Sequence, residues 1–289
     1  MKLIALIIPF IILLTACTAD DQPDPTAEYS LDLTSWSTYN YKLENTNWIR
    51  QEPNTMLVKY HDDGRINTIE NALAGPDPDN GRLTVLYDQG KFSGIAHISF
   101  EYTFVFNDGR LRKFQFRMPT DYGHERDIDT IIYDPAGKLD YIDRLGTYGI
   151  NGKDRKYKVD FVWEGENLKQ YNMYMEDDAG QMQVLFKQFF TYNERLQINF
   201  FPKLRGGADY FFLKLLAGDR SYLLSKHLPV SSERIWTSRI PIPAREVFEY
   251  THRLDAHGRL QETEIRAVRY EYEVWKSEIR TAIGFTYRE

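Results

Sequence analysis

Short runs of alternating apolar and polar residues, separated by Asp-Gly and Asn-Gly turns, make up most of this chain. Period-two alternation puts successive side chains on opposite faces of a strand, and a polar turn with glycine folds that strand back on itself. Tyr133-Asp-Pro-Ala-Gly137-Lys-Leu-Asp-Tyr141 is the clearest case: an apolar run, a polar turn, a second alternating run. Residues 56–60 and 65–69 flank His61-Asp-Asp-Gly64, where Asp-Gly supplies the positive-φ positions of a tight turn. Residues 83–87 pair with 91–98 across Asp88-Gln-Gly90. Phe100, Tyr102, Phe104 and Phe106 share a face, turn at Asn107-Asp-Gly109, and Phe114, Phe116 and Met118 return. Tyr157, Val159, Phe161 and Trp163 turn at Glu164-Gly-Glu-Asn167 towards Tyr171, Met173 and Met175. Residues 182–192 and 196–201 are expected to pair about Asn193-Glu-Arg195. Phe248, Tyr250, His252 and Leu254 precede Asp255-Ala-His-Gly258 and residues 259–267, and residues 269–279 and 284–287 close the series.

One segment departs from period two. Ala208-Asp-Tyr-Phe-Phe-Leu-Lys-Leu-Leu216 is apolar at i, i+3, i+4 spacing and ends at Gly218, which predicts a short helical insert over about 207–225. So many large apolar residues on a short helix need a surface to cover, so the insert should pack on or plug the sheet. Pro229 and Ile240-Pro-Ile-Pro243 mark an irregular connection after it. The predicted fold is mainly β: an antiparallel meander of many hairpins, residues 30–289 forming one domain. Adjacent strands twist by about 20–25°, and closure removes the unpaired edges that invite aggregation, so a large curled sheet or barrel is expected.

The N-terminus reads differently. Met1-Lys2 precedes an apolar stretch from Leu3 to Leu14, broken only by Pro9, and Leu14-Thr15-Ala16-Cys17 follows. The stretch is short for a membrane span and has the layout of an export signal, residues 1–16. The tetrad resembles the bacterial lipobox, in which the leader is cut before the cysteine and that cysteine is acylated; Cys17 is therefore the expected lipidation site. Three acyl chains would anchor stably, each buried CH₂ contributing about 0.8 kcal/mol. Residues 17–29 are Pro-rich and polar and read as lipidated cysteine plus disordered tether. Asp20-Asp21 within them resembles the acidic export tag of Bacteroidota surface lipoproteins, and reads equally as a solvated linker, so cell-surface and periplasmic placement both stay open.

Composition narrows the function. Aromatic residues are 15% of the chain, which favours half-buried pleated surfaces. A net charge of −6 argues against nucleic acid, which demands a basic face. Mean hydropathy is −0.52, and Lys158, Asp160, Glu262 and Glu264 sit opposite aromatic faces, which suits water outside and a core inside. Cys17 is the single cysteine, so the chain forms no internal disulfide.

Catalytic motifs are scarce. The histidines His61, His97, His124, His227, His252 and His257 show no ligand-pair spacing, and no metal or cofactor is expected. Asp77-Pro-Asp-Asn-Gly81 lacks the spaced third ligand and distal Glu of a calcium loop and reads as a turn. There is no Gly-x-Ser-x-Gly elbow and no glycine-rich phosphate loop. Glu262, Glu264, Glu271 and Glu273 are numerous enough to hide a glycosidase pair, although alternating Glu on a strand is more often a wet face. Among Trp36, Trp48, Trp163, Trp236 and Trp275, the candidate ligand-stacking residue is Trp236, in the polar, Pro-flanked connection.

Two resemblances follow from these motifs. Tyr60-His-Asp-Asp-Gly-Arg-Ile66, Tyr133-Asp-Pro-Ala-Gly-Lys-Leu139 and Leu254-Asp-Ala-His-Gly-Arg-Leu260 resemble the tyrosine-aspartate repeats of Rhs-type proteins, although their spacing is irregular. The lipobox, the hairpins, the helical insert, Tyr222-Leu-Leu-Ser-Lys-His-Leu-Pro229 and Phe285-Thr-Tyr287 together resemble an uncharacterised family of Bacteroidota lipoproteins with a soluble porin-like β-fold. That resemblance implies an outer-membrane lipoprotein and carries no catalytic residues. The expected function is non-enzymatic binding or scaffolding at the envelope, with a glycan, a small apolar molecule or an envelope protein as partner. The alternatives are a two-carboxylate polymer hydrolase and a purely structural envelope component. Mass spectrometry of the chain made in a lipoprotein-competent bacterium should find Cys17 acylated at a new N-terminus. An unmodified Cys17 would refute the anchor.

Overall fold

A computed structural model of the chain describes residues 33–63, 65–72, 81–89, 91–97, 100–107, 110–117, 126–146, 155–197, 225–237 and 244–287. The export signal, Cys17, the tether, the predicted helical turns at 207–224 and the loop at Asp77 lie outside the described residues. Seventeen strands form a single antiparallel sheet. They are β1 (Leu33–Glu44), β2 (Asn47–Arg50), β3 (Asn54–Tyr60), β4 (Ile66–Asn71), β5 (Arg82–Asp88), β6 (Lys91–His97), β7 (Phe100–Asn107), β8 (Arg110–Arg117) and β9 (Arg126–Tyr133). The series continues with β10 (Leu139–Gly146), β11 (Arg155–Glu164), β12 (Asn167–Glu176), β13 (Met182–Gln197), β14 (His227–Trp236), β15 (Ala244–Leu254), β16 (Leu260–Glu271) and β17 (Val274–Tyr287).

Each strand pairs with its sequence neighbour, and β1 pairs with β17 from Leu33↔Tyr287 to Asn40↔Thr281. β2 and β3 are one strand broken at Gln51–Pro53. Both lie against β1, in registers that differ by one residue (Tyr41↔Arg50, Thr38↔Asn54). The result is a closed sixteen-stranded barrel of porin-like fold.

One rim of the barrel repeats a single design. It carries the turns after β3, β5, β7, β9, β11 and β15, and all eight strand pairs that meet there shift register near it: at Leu33/Ser35, Lys59/Tyr60, Leu86/Tyr87, Val105/Phe106, Leu139/Tyr141, Val162/Trp163, Thr191/Tyr192 and Arg253/Leu254. The first or second residue of each rising strand is buried: Leu33, Ile66, Phe92, Leu111, Leu139, Leu168, Leu228 and Leu260. Because of the bulge, the next inward residue comes three positions later, not two, as in Ile66/Ile69, Leu111/Phe114 and Leu139/Ile142. A bulge also disrupts the ladder, and the aromatic residue ending the following hairpin donates to the backbone there. The Tyr60, Tyr87, Tyr133, Tyr192 and Tyr287 hydroxyls bond the carbonyls of Leu33, Ile66, Leu111, Leu168 and Leu260 at 2.5–3.0 Å. The Trp163 indole does the same for Leu139 at 2.7 Å.

The turn residues complete the motif. In the turn after Tyr133, the Asp134 carboxylate accepts the Lys138 N–H at 2.8 Å. Gly137 sits at φ +83°, where a Cβ would lie 2.5 Å from the Arg110 guanidinium. The basic residue closing each turn lies over the aromatic of the next hairpin: Arg65 over Tyr87 (4.8 Å), Lys138 over Trp163 (5.8 Å), Arg259 over Tyr287 (4.4 Å). Thus every position of the Tyr-Asp-x-x-Gly-Arg-Leu outline has a physical task in the barrel.

The apolar face of every long strand joins one contiguous core cluster, which in a closed barrel is the inner face. Its opposite carries ion pairs, across strands in Lys59–Glu70–Arg82 and in Arg266 between Glu249 and Glu278, and along β11 in Lys158–Asp160. A membrane barrel shows an apolar band there, and a lipid-facing Lys or Arg at the midplane costs about 2–4 kcal/mol. The outer face suits water.

Three expectations need correction. β13 runs unbroken from Met182 to Gln197, so Asn193-Glu-Arg195 is no hairpin turn. The Asn193 side chain instead caps the Arg195 N–H at 3.0 Å within a register shift, and the next partner is β14. Pro229 belongs to β14, at the same shift, where a missing N–H is tolerated. Trp236 ends that strand and is no part of an irregular connection.

Tyr287→Phe should remove about 1 kcal/mol, lowering Tm by about 2–4 °C, because the Leu260 carbonyl loses its donor. Burial, reinforced by the Asp255 charge, raises the Tyr287 pKa above the usual tyrosine range. A raised folded pKa means full stability below about pH 10, lost as pH climbs beyond it. Denaturant midpoints at pH 8 and 10.5 should diverge more for the wild type than for Tyr287→Phe.

Candidate functional site

Away from the tight-turn rim, the inner face of β13 to β17 becomes polar. Inward positions alternate along each strand and align across them: Gln188↔Arg234, Arg234↔Glu246 and Glu246↔Arg269 are successive register pairs. A cavity of about 400 Å³ opens on this wall. Its floor is buried Phe190, Tyr250 and Ile265, and Phe248, Ala267, Ile279 and Thr281 rise beside them.

The polar corner is a connected network. Arg234 donates from Nε and Nη2 to the Gln188 Oε1, at 3.1 and 2.9 Å. Gln188 donates to the Ser232 hydroxyl at 2.9 Å, and that hydroxyl shares a hydrogen bond with the Tyr250 hydroxyl at 2.8 Å. The Arg234 guanidinium lies over the Phe186 and Phe248 rings, at 4.6 and 5.2 Å. Glu246 sits between two arginines, 3.4 Å from Arg234 Nη1 and 3.8 Å from Arg269 Nη1, while Glu271 holds Arg269 at 3.2 Å.

His252 lies on the same wall nearer the turn rim. Nε2–H donates to the Pro229 carbonyl at 2.6 Å, and Nδ1 faces the Thr263 hydroxyl at 3.0 Å, so both ring nitrogens are engaged. Burial lowers its pKa, against the opposing pull of the Pro229 carbonyl.

The residues singled out from sequence fall elsewhere. Trp236 adjoins the cavity without lining it: its ring packs 5.0 Å from Phe186, and its indole N–H is buried with no partner among the described residues. Of the candidate acids, Glu262 pairs with Arg50 and Arg253, and Glu264 accepts from Tyr41 at 3.4 Å, both on the outer face. Glu271 is held by Arg269 and Glu273 by Arg245. Cys17 is outside the described residues. Sequence reasoning missed Gln188, Arg234, Glu246 and Arg269. One signal was present: Glu246 has the parity of Phe248, Tyr250 and His252, which makes it a charge on an aromatic face.

Comparison with known proteins agrees with the barrel. A porin-like protein from Bacteroides uniformis ATCC 8492 is 13% identical with a TM-score of 0.54, over 91% of this chain and 100% of that one. A porin-like protein from Bacteroides vulgatus ATCC 8482 is 14% identical with a TM-score of 0.54, over 88% and 98%. At such identity the likeness is one of fold. No family model and no curated protein matches the sequence.

The lowered His252 pKa sets a pH dependence. Stability is full above the unfolded histidine pKa of about 6.5 and is lost as pH falls towards the folded value. The urea midpoint of the wild type should drop between pH 7.5 and 5.5, and His252→Gln should flatten that drop.

Proposed function

We propose that this chain is a lipid-anchored protein of the bacterial outer membrane, a non-enzymatic barrel that binds a small ligand. The observation that carries the reading is the cavity of about 400 Å³, within the usual range for small-molecule sites and lined by aromatic walls with a few converging polar groups. The charged outer face supports a barrel standing in water beside the membrane, and Cys17 supplies the anchor. Fifteen residues lie between Cys17 and Leu33, a reach of up to about 55 Å. The chain enters β1 at the tight-turn rim, and the cavity lies towards the other rim, away from the tether.

The porin-like neighbours favour an envelope setting. Hydrolysis by paired carboxylates finds less support: among the described residues Glu246 is the one acid in the cavity lining, and two arginines flank it. A thermal-shift screen of the purified mature protein against glycans, fatty acids, bile acids and divalent metals tests the reading. A ligand at about 100 times its Kd adds about 2.7 kcal/mol, a shift of several degrees. A saturable shift with one class is expected, and a flat screen would overturn ligand binding.

A further inference from the structure

Resting on that reading, we propose that the cavity takes an amphipathic monocarboxylate, with its carboxylate on Arg234 and its apolar chain along Phe190, Phe248, Ile265 and Ile279. The cavity is divided as such a ligand is divided: hydrogen-bond donors gather in one corner, and the rest of the wall is aromatic and aliphatic.

Arg234 is oriented before any ligand arrives. Two of its N–H groups are spent on one oxygen of Gln188, which Ser232 and Tyr250 fix in turn. Phe186 and Phe248 hold the guanidinium plane. A guanidinium has five N–H groups and pairs best with a carboxylate through two parallel bonds of about 2.7–2.9 Å. The contact to Glu246 is single and 3.4 Å long, so Arg234 keeps donor capacity for an incoming acid. Glu271 holds Arg269 at 3.2 Å, so Glu246 is the acid that an incoming carboxylate competes with at Arg234.

Ile279 supplies the second half of the argument. It faces inward, opposite Ala267, yet is 60% exposed. An apolar wall left wet within the cavity is the surface that a ligand's chain covers. A neutral sugar would bring hydroxyls to this wall and find few partners for them.

Calorimetric titration of the mature protein with decanoate, and with 1-decanol as its uncharged counterpart, tests the proposal. Saturable one-to-one binding of decanoate is expected, at least about tenfold tighter than decanol, with affinity rising about fourfold per methylene from hexanoate. Arg234→Gln should weaken decanoate about tenfold or more and leave decanol unchanged. Glu246→Gln, which removes the competing acid, should tighten decanoate, and Ile279→Glu should weaken both ligands. Equal binding of acid and alcohol, or indifference to both Arg234→Gln and Glu246→Gln, overturns the proposal. If decanoate gives no heat while an oligosaccharide binds saturably, this inference falls and the binding-protein reading stands. Silence from every ligand removes both.

Discussion

Everything in this barrel hangs on how one rim handles backbone carbonyls that a bulge takes out of the ladder. Closing sixteen strands requires the same bend at every second turn, and a bulge beside each tight turn supplies it. The cost is a disrupted ladder, and a buried carbonyl without a donor costs about 1–3 kcal/mol. Tyrosine and tryptophan resolve the conflict, since each fills the core with its ring and reaches the carbonyl with its polar end. Six such bonds link each hairpin to the one before it. The remaining two positions hold Phe106, whose ring lies 6.3 Å from that of Phe92, and Leu254, which packs on the core.

That arrangement divides the interior into zones. Near the turn rim, leucines, isoleucines and aromatic rings close the lumen. Further along, the wall from β13 to β17 replaces them with Gln188, Arg234, Glu246 and Arg269, and the cavity opens there. Buried charge demands compensation, which Arg234 receives from a glutamine oxygen, two ring faces and a shared carboxylate. Another interior pair, Asp129 with Arg144 at 2.5 Å across β9 and β10, meets the same demand by close contact. The Arg234 corner is looser, with 3.4 Å between Arg234 and Glu246.

The hairpins were legible where their turns carried Asp and Gly. Alternation and turn chemistry located the strands from Met56 to Met175 and from Phe248 to Ala267, because both signals are local. Legibility failed where turns use other residues. Asn45-Thr46 and Tyr272-Glu273 adopt positive φ without glycine, so the β1–β2 and β16–β17 reversals left no mark. It failed again along β14, whose inward residues Ser232 and Arg234 are polar and hydrogen-bond with Gln188. There the apolar period vanishes, and the strand passed for a loop.

What the sequence determined alone was therefore the repeating unit: an aromatic residue, an Asp-x-x-Gly turn, a basic residue and a buried aliphatic. Those features rest on interactions between residues close along the chain. Tertiary structure decided the rest, namely that β1 closes on β17, that the aromatic of each hairpin serves the carbonyl of the one before, and that four polar residues on four strands meet in one corner. Such contacts join residues 12 to 252 positions apart, and only the register of a closed sheet brings them together.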